Sequence, residues 1–316
     1  MRVLSLLSCL AALLTVAAPA AGQTSNDWTT GLPRQDIKVK AWPGGKKVAV
    51  AFVLYVEVWG RGQGPNFRPD MTDRKPDLVD EAFRQYAINW GLPRVGRLFG
   101  EMKVPLSLAL NAQFPEQQPV AWRELRGLVP SAPIVAHGLN NTTDLLPLSK
   151  GPEAQRAYIR QTIDMIEKST GVRSTGWSSP SVYPNADTYA ATASEGIVYS
   201  LDGMDSDVLS RLGSEPHPLW LVPYPPTVVD MGQYLSRFKE ASDLERLWTD
   251  YVSELVREAR ADPARDATVV AIGIHPFVVG TPSGAAALRR VLTTLQQQDL
   301  VWLTDPEAII KATGVQ

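Results

Sequence analysis

The sequence predicts an α/β protein whose core is a deformed parallel (β/α) barrel of about seven strands. Strand-like and helix-like runs alternate along most of the chain, and this alternation is typical of repeated β–α units. The strand-like runs, such as 47–54, are apolar throughout, as expected for parallel strands covered by helices. No glycine-rich phosphate-binding motif follows the first run, which favours a barrel over a nucleotide-binding open sheet.

The first half of the domain is predicted to hold strands over 47–54, 104–110 and 133–136. A helix is predicted over 91–102, where apolar residues recur on one helical face. A second helix is predicted over 152–168, because a proline stands near its first turn and a glycine follows its end. The apolar stripe of this second helix is formed by Tyr158, Ile159, Ile163 and Ile166.

The second half continues the same alternation, with a helix over 187–195 and a strand over 197–201. Ser242 and Glu245 fit a capping box at the start of the next helix. Asp305 is predicted to cap a closing helix, with a proline at its first position. The remaining predictions are a strand over 268–274, a helix over 283–297 and a strand over 301–303.

The start of the chain indicates export. Residues 1–22 have a basic start, an apolar run and small residues before Gly22, as a signal peptide does. The apolar run is shorter than the roughly 20 residues of a membrane-spanning helix, so we expect a secreted or periplasmic protein without a membrane span. Residues 23–45 are predicted to form a polar arm, and 46–316 the barrel. The one cysteine, Cys9, lies in the predicted signal peptide, so we expect no disulfide and no thiol nucleophile.

The charge balance excludes nucleic acid as the default partner. The chain has 31 Lys+Arg against 33 Asp+Glu, a formal net charge of -2, whereas phosphate binding needs a basic face. The sequence leaves the exact substrate and the oligomeric state open.

Polar side chains collect where the predicted strands end. Chemistry in a parallel barrel sits at the carboxyl ends of the strands, so these residues are candidates for one site. They are Tyr55, Glu57, His137, Trp177, Asp202 and His275. Each also has a structural interpretation: a solvated carboxylate, a turn residue, a helix cap or, for Trp177, simple packing.

Short motifs follow one another in a recognisable order along 46–316. They are Val50–Glu57, Arg94–Phe99, Ala136–Gly138, Gly176–Pro180, Leu221–Tyr224, Val229–Met231, Ile272–Pro276 and Val301–Thr304. This ordered set resembles the polysaccharide deacetylase superfamily, and within it the allantoinase-like and cyclic-imide branch. The resemblance implies a deformed (β/α) barrel and hydrolysis of a C–N bond in an N-acetyl sugar, an amide or a ring amide, and hence a small-molecule or glycan substrate.

The metal site that the resemblance implies is incomplete in this sequence. Metal-dependent members have two aspartates after the first strand, and the matching positions here are Tyr55 and Glu57. Those members also have a His-x-x-x-His pair, matched here by His137 and Asn141. Only Glu57 and His137 remain as strong ligands, whereas catalytic zinc usually has three protein ligands. We therefore expect either a weakly bound divalent metal such as zinc or none.

The first hypothesis is a secreted hydrolase of non-peptide C–N bonds. Glu57 would orient or deprotonate water, alone or through a weak metal shared with His137, and His275 would protonate the leaving nitrogen. Asp230 would position the loop 221–231 over the pocket. The expected substrate-binding residues are Tyr55, Asn141, Trp177, Asp202 and Asp230.

Two other functions are compatible with the same residues. The first is an inactive barrel that binds a glycan or small amide, suggested by the loss of an aspartate at Tyr55 and of a histidine at Asn141. The second is a glycoside hydrolase, which needs two carboxylates flanking the bond. Glu57 and Asp202 would be the candidates, but His275 would then have no role.

Overall fold

The fold is described from a computed structural model that covers residues 25–27, 29–64, 77–142, 151–213 and 217–314. The predicted signal peptide over 1–22 lies outside these residues. The strands are β1 Ser25–Asn26, β2 Pro33–Asp36, β3 Val48–Val56, β4 Ser107–Leu110, β5 Ile134–Ala136, β6 Gly176–Trp177, β7 Tyr199–Gly203, β8 Ser210–Leu212, β9 Leu219–Pro223, β10 Thr268–Ile274 and β11 Val301–Thr304.

The helices lie between these strands as β–α units. They are α1 Leu78–Tyr86, α2 Leu92–Met102, α3 Phe114–Gln117, α4 Pro119–Leu128, α5 Pro152–Thr170, α6 Ala186–Ser194, α7 Ala241–Ala261, α8 Pro282–Gln296 and α9 Pro306–Ala312. A π-helical turn, Ala87–Gly91, joins α1 to α2, and a second one spans Gly232–Ser236. Single 3-10 turns lie at Pro43–Gly45, Pro180–Val182 and Pro226–Val228.

The central sheet is parallel in the order β9-β7-β6-β5-β4-β3-β10. Strand β10 pairs with β3 along Val48–Leu54, while β11 pairs with Val48–Ala51 and β4 with Val53–Val56. Since a strand has two edges, β11 and β4 share the edge of β3 opposite β10. Among the described residues no ladder joins β9 to β10. The predicted fold class, an α/β protein with a deformed parallel barrel, is confirmed.

The sheet has two apolar faces because its strands are buried on both sides. One face packs against the helices through residues such as Phe52, Leu54 and Val56. The other face forms a separate interior cluster that takes side chains from opposite ends of the strand order, including Tyr55, Tyr224 and Ala271. That shared interior shows that the sheet curves until β9 and β10 face each other across its inside.

The structure adds elements that were not predicted, namely α1, α3, α4, β8 and β9. It also differs from the predicted elements at some boundaries and in the arm. Helix α7 begins at Ala241, and its capping box is formed by Glu240 and Asp243; the predicted box of Ser242 and Glu245 is therefore wrong. Asp305 does cap the last helix, since its side chain accepts the Ala308 N–H. The segment predicted as a polar arm contains β1 and β2. Strand β2 pairs antiparallel with β8, and β1 pairs antiparallel with β2. Among the described residues, no helix combines the length and the hydropathy that a membrane span requires.

Candidate active site

Strand register brings the predicted residues together at the carboxyl end of the sheet. Tyr55 is level with Ala109 of β4, which is level with Val135 of β5. Two residues further along each strand, side chains point to the same interior face, and these positions are Glu57, Asn111 and His137. On the other side of β3, Ile274 pairs with Leu54, so His275 lies level with Tyr55.

Glu57 is the centre of the arrangement. Its Oε1 lies 2.7 Å from Asn141 Nδ2, which donates to it, and 3.3 Å from His137 Nε2. Its Oε2 lies 3.8 Å from His275 Nε2 and has no hydrogen-bond partner among the described residues. The Glu57 side chain is 2% exposed. An unpartnered carboxylate oxygen buried to this degree is costly for the fold, which marks it as a candidate functional group.

His137 is oriented by the backbone. Its Nδ1 lies 2.8 Å from the Ser178 carbonyl oxygen, which can only accept, so Nδ1 is the donor. This bond turns Nε2 towards Glu57. The ring also meets Tyr55 edge-on, with centroids 4.8 Å apart.

His275 is held by a buried carboxylate. Asp230 Oδ1 lies 2.6 Å from His275 Nδ1, and Asp230 Oδ2 accepts the His275 backbone N–H at 2.7 Å. Burial by itself would lower the pKa of His275, but the negative charges of Asp230 and Glu57 outweigh that effect and raise the pKa above its usual value. The imidazolium form, with an Nε2–H directed at Glu57, is therefore favoured.

Asp230 was expected to position the loop 221–231 over the pocket and to contact the substrate. The structure instead places it behind His275, fully buried, with both carboxylate oxygens directed at that residue. Its action on any substrate is therefore indirect, through the orientation and charge of the imidazole.

Asn141 shows why the residues present do not fit a catalytic metal. Its Oδ1 accepts the Ser181 N–H at 3.0 Å, and this bond fixes Nδ2 as the atom that faces Glu57. An amide NH₂ group donates hydrogen bonds and has no lone pair for a cation. Among the described residues there is also no group of three or more His, Cys, Asp or Glu side chains placed to hold a metal. We therefore derive no step through a metal ion.

Tyr55 lies between the two histidines. Its ring stacks on His275 with centroids 4.5 Å apart and an interplanar angle of 4°. Its hydroxyl lies 3.1 Å from Ser178 Oγ, and burial raises the pKa of the phenol well above its usual value. Tyr55 is therefore a neutral spacer that fixes both imidazole rings, rather than a base.

Trp177 does not join this group. In the register of the sheet it is level with Ala136 of β5, which belongs to the helix-facing core, and Trp177 is fully buried in that same core. Because side chains alternate along a strand, it points away from Tyr55 and Glu57. The expectation that Trp177 would line the pocket is not met, and its role is packing.

Asp202 is also a supporting residue. Its Oδ2 accepts from the hydroxyls of Ser179, at 2.8 Å, and Ser200, at 2.9 Å, while its Oδ1 accepts the Ser179 N–H at 3.1 Å. With both oxygens hydrogen-bonded to serines, it braces the turn after β6. It does not form a second free carboxylate opposite Glu57, which removes the geometric basis for a glycoside hydrolase.

Two residues of the site were not singled out from the sequence. Asn111, directly after β4, accepts the Val58 N–H and donates to the His137 carbonyl, so it ties the loops after β3 and β5 together. Ser178 contacts both Tyr55 and His137. Asn111 could have been identified from the sequence by the same pattern as Glu57 and His137, a polar residue directly after an apolar strand.

Comparison with solved structures agrees with this architecture. A protein from Mycobacterium smegmatis assigned as a polysaccharide deacetylase is 23% identical with a TM-score of 0.70, covering 88% of this chain and 95% of that chain. A Pseudomonas aeruginosa PAO1 protein with the same assignment is 21% identical with a TM-score of 0.72, covering 87% and 93%. PuuE allantoinase is 23% identical with a TM-score of 0.73, covering 87% and 92%.

At the level of sequence, neither a protein-family model nor a curated protein matches the chain. The three structural similarities extend over most of both chains. The barrel implied by the sequence motifs is therefore the one observed, and the chain has the fold shared by polysaccharide deacetylases and PuuE allantoinase.

Proposed function

We propose that this protein is an exported hydrolase of non-peptide C–N bonds that works without a metal ion. The substrate class is an N-acetyl sugar, an amide or a ring amide. The observation that carries the proposal is the line Asp230–His275–Glu57, in which a buried carboxylate fixes one imidazole nitrogen and the other faces the free oxygen of a second carboxylate. Export rests on the signal-peptide pattern of 1–22 alone.

The proposed reaction uses Glu57 as base and His275 as acid. Glu57 Oε2 takes a proton from a water molecule, and the water oxygen adds to the acyl carbon. The C–N bond then breaks while His275 Nε2 gives its proton to the leaving nitrogen, which is a poor leaving group until it is protonated. Transfer of the proton from Glu57 to His275 restores both groups. Asn141 donates to Oε1 throughout and His137 lies against the same oxygen, which leaves Oε2 for the water.

The test is a hydrolysis screen with chito-oligosaccharides, simple N-acetylated amides and hydantoins, with and without a chelator. We expect turnover that survives chelation. His275→Ala should lower turnover per folded molecule roughly 10²–10⁴-fold, and it should also lower the melting temperature because it leaves Asp230 buried without its partner. Glu57→Gln should lower turnover to a similar degree. His217→Ala is the matched control, because His217 is exposed in a loop. Normal turnover per folded molecule in His275→Ala would remove His275 from the mechanism.

The second candidate function is binding of a glycan or small amide without turnover. Two observations favour it: Tyr55 occupies the position that the family resemblance assigns to a base, and both His137 and His275 are at most 2% exposed. The same screen separates the candidates if binding is followed by calorimetry. Binding of an amide that wild type never hydrolyses would support the inactive barrel.

A further inference from the structure

A polar groove of about 370 Å³ adjoins the candidate active site. The hydrogen bonds Asn141 N to Val58 O and Gly60 N to Thr142 Oγ1, 2.9 and 2.8 Å long, hold the two loops that border it side by side. Each loop also carries an active-site residue, Glu57 or Asn141. Residues lining the groove include Trp59, Arg61, Gln63, Gln113, Asn140 and Thr142.

The amide groups in this groove leave donors unused. Asn140 Oδ1 accepts the Thr142 N–H, so Asn140 Nδ2 must be the atom that donates to Gln113 Oε1 at 3.2 Å. Gln117 Nε2 donates to the same oxygen, also at 3.2 Å. The Gln113 oxygen is thus saturated, while its NH₂ group has no partner among the described residues. The indole N–H of Trp59 has none there either.

The charge of the groove is positive. Arg61 is exposed and forms no ion pair among the described residues, and none of the described residues lining the groove is Asp or Glu. Arg61 is close enough to Glu81 to contribute to the lowered pKa of the Glu81 carboxyl, together with the hydrogen bonds from Gly62 and Arg84. That carboxylate is occupied, however, since it accepts the Gly62 N–H at 2.6 Å and pairs with Arg84 at 2.9 Å.

We infer that this groove binds a carboxylate carried by the substrate, with Arg61 as the main recognition residue. A guanidinium together with unused N–H donors matches a ligand group that only accepts hydrogen bonds. The inference rests on the proposed function for its statement that the bound molecule is a substrate. It adds that the scissile amide belongs to an anionic molecule, and the carboxylate can be borne by a ring amide or by an N-acetyl sugar.

The test is calorimetric binding of matched ligand pairs to the full protein. One pair is hydantoin-5-acetate and its neutral acetamide, and the other is N-acetylmuramate and N-acetylglucosamine. We expect the charged member of at least one pair to bind roughly tenfold more tightly, with a preference that shrinks as salt is added. The pair that shows the preference identifies the source of the carboxylate.

Two variants test whether the preference for the charged ligand depends on the groove. Arg61→Gln should abolish it and leave the neutral ligand within about twofold of wild type. Arg123→Gln is the control, since Arg123 is an exposed arginine that does not line the groove, and it should keep the preference. Equal binding of charged and neutral members in both pairs, or a preference that survives Arg61→Gln, would overturn the inference.

Failure of the carboxylate-binding groove can be distinguished from failure of the proposed hydrolase. Arg61-dependent binding of carboxylates with no hydrolysis of any ligand would support the groove and contradict the hydrolase. Glu57-dependent hydrolysis of neutral amides without any carboxylate preference would support the hydrolase and contradict the groove.

Discussion

At the scale of single residues, the site depends on which atom each side chain presents. His137 and His275 each use Nδ1 on a fixed acceptor, so that both Nε2 atoms face Glu57. Asn141 presents an NH₂ group to the same carboxylate. The result is a carboxylate that faces the NH₂ group of Asn141 and the protonated Nε2 of His275, which suits proton transfer.

Asp230→Asn should change the pH profile of turnover rather than the fold. A general acid works while it is protonated, so activity is lost as pH rises through the pKa of His275. The charge of Asp230 helps to raise that pKa, and its removal should move the falling limb of the profile to lower pH. Turnover at neutral pH should fall roughly 10–100-fold. Asp202→Asn is the control, because it removes a buried carboxylate that does not touch His275. It should leave the falling limb of the pH profile in place. If the falling limb also stays in place in Asp230→Asn, the role assigned to Asp230 is contradicted.

Asn141→His should create affinity for zinc. The new imidazole would lie beside Glu57 Oε1 and His137 Nε2, which are 3.3 Å apart. It would supply a third ligand. We expect stoichiometric zinc after dialysis and an affinity at least about tenfold above wild type. The control is Asn140→His, one residue away in the groove. Wild-type protein that retains zinc through a chelator, with Asn141 in its coordination shell, would contradict this reading.

At the scale of elements, the segment before β3 is tied to the sheet by a small ionic cluster. Asp27 accepts from Thr29 and Thr30 and pairs with Arg34 of β2 at 3.2 Å. Arg34 in turn pairs with Asp205, beyond β7, at 2.7 Å. The antiparallel edge formed by β1, β2 and β8 is therefore attached to the sheet by the ladder between β8 and β9 and to the residues after β7 by the Arg34–Asp205 ion pair.

Asp27→Asn should destabilise this edge in a pH-dependent way. Burial would raise the pKa of Asp27, but hydrogen bonds from Thr29, Thr30 and Arg34 outweigh it and lower the pKa from 3.8 to about 2. A carboxyl with a lowered native pKa stabilises the fold above its unfolded pKa, and this contribution is lost as pH falls towards about 2. We expect a loss on the order of 1 kcal/mol at neutral pH, after solvent screening.

Chemical denaturation at a series of pH values measures this effect. The difference between wild type and Asp27→Asn should disappear near pH 2. Asp36→Asn is the control within the same cluster. Asp36, the last residue of β2, also pairs with Arg34, at 3.5 Å, but its side chain is 57% exposed, so its removal should have a smaller effect. A difference that persists unchanged at low pH would mean that the Asp27 carboxylate charge is not responsible.

At the scale of the whole molecule, β9 and β10 contact each other through side chains, and no backbone hydrogen-bond ladder joins them among the described residues. Tyr224 follows β9, and its hydroxyl lies against Gly273 of β10, where any added Cβ would overlap it. Both residues are buried. Tyr224 belongs to the interior cluster, and so does Val53, the residue of β3 that pairs with Gly273. The contact between Tyr224 and Gly273 therefore brings the ends of β9 and β10 together. Gly273 lies two residues before His275 in the chain.

A double-mutant cycle tests this closure. Gly273→Ala should destabilise the protein by about 1–3 kcal/mol through overpacking. Combining it with Tyr224→Phe removes the clashing hydroxyl, so the double variant should lose less stability than the sum of the single changes. Strict additivity of the two free energies of unfolding would show that the hydroxyl and the glycine do not meet.

The sequence by itself determined the alternation of strands and helices, because buried parallel strands are apolar along their whole length and helices keep their own period. It also determined that Glu57, His137 and His275 would meet, because each follows a strand and parallel strands end at one edge. Only the tertiary structure decided the roles of their neighbours. Trp177 faces the helices because one step of register separates the two faces of a strand, and Asp230, far from His275 in the chain, becomes its partner only when the loop after β9 closes over the end of β10.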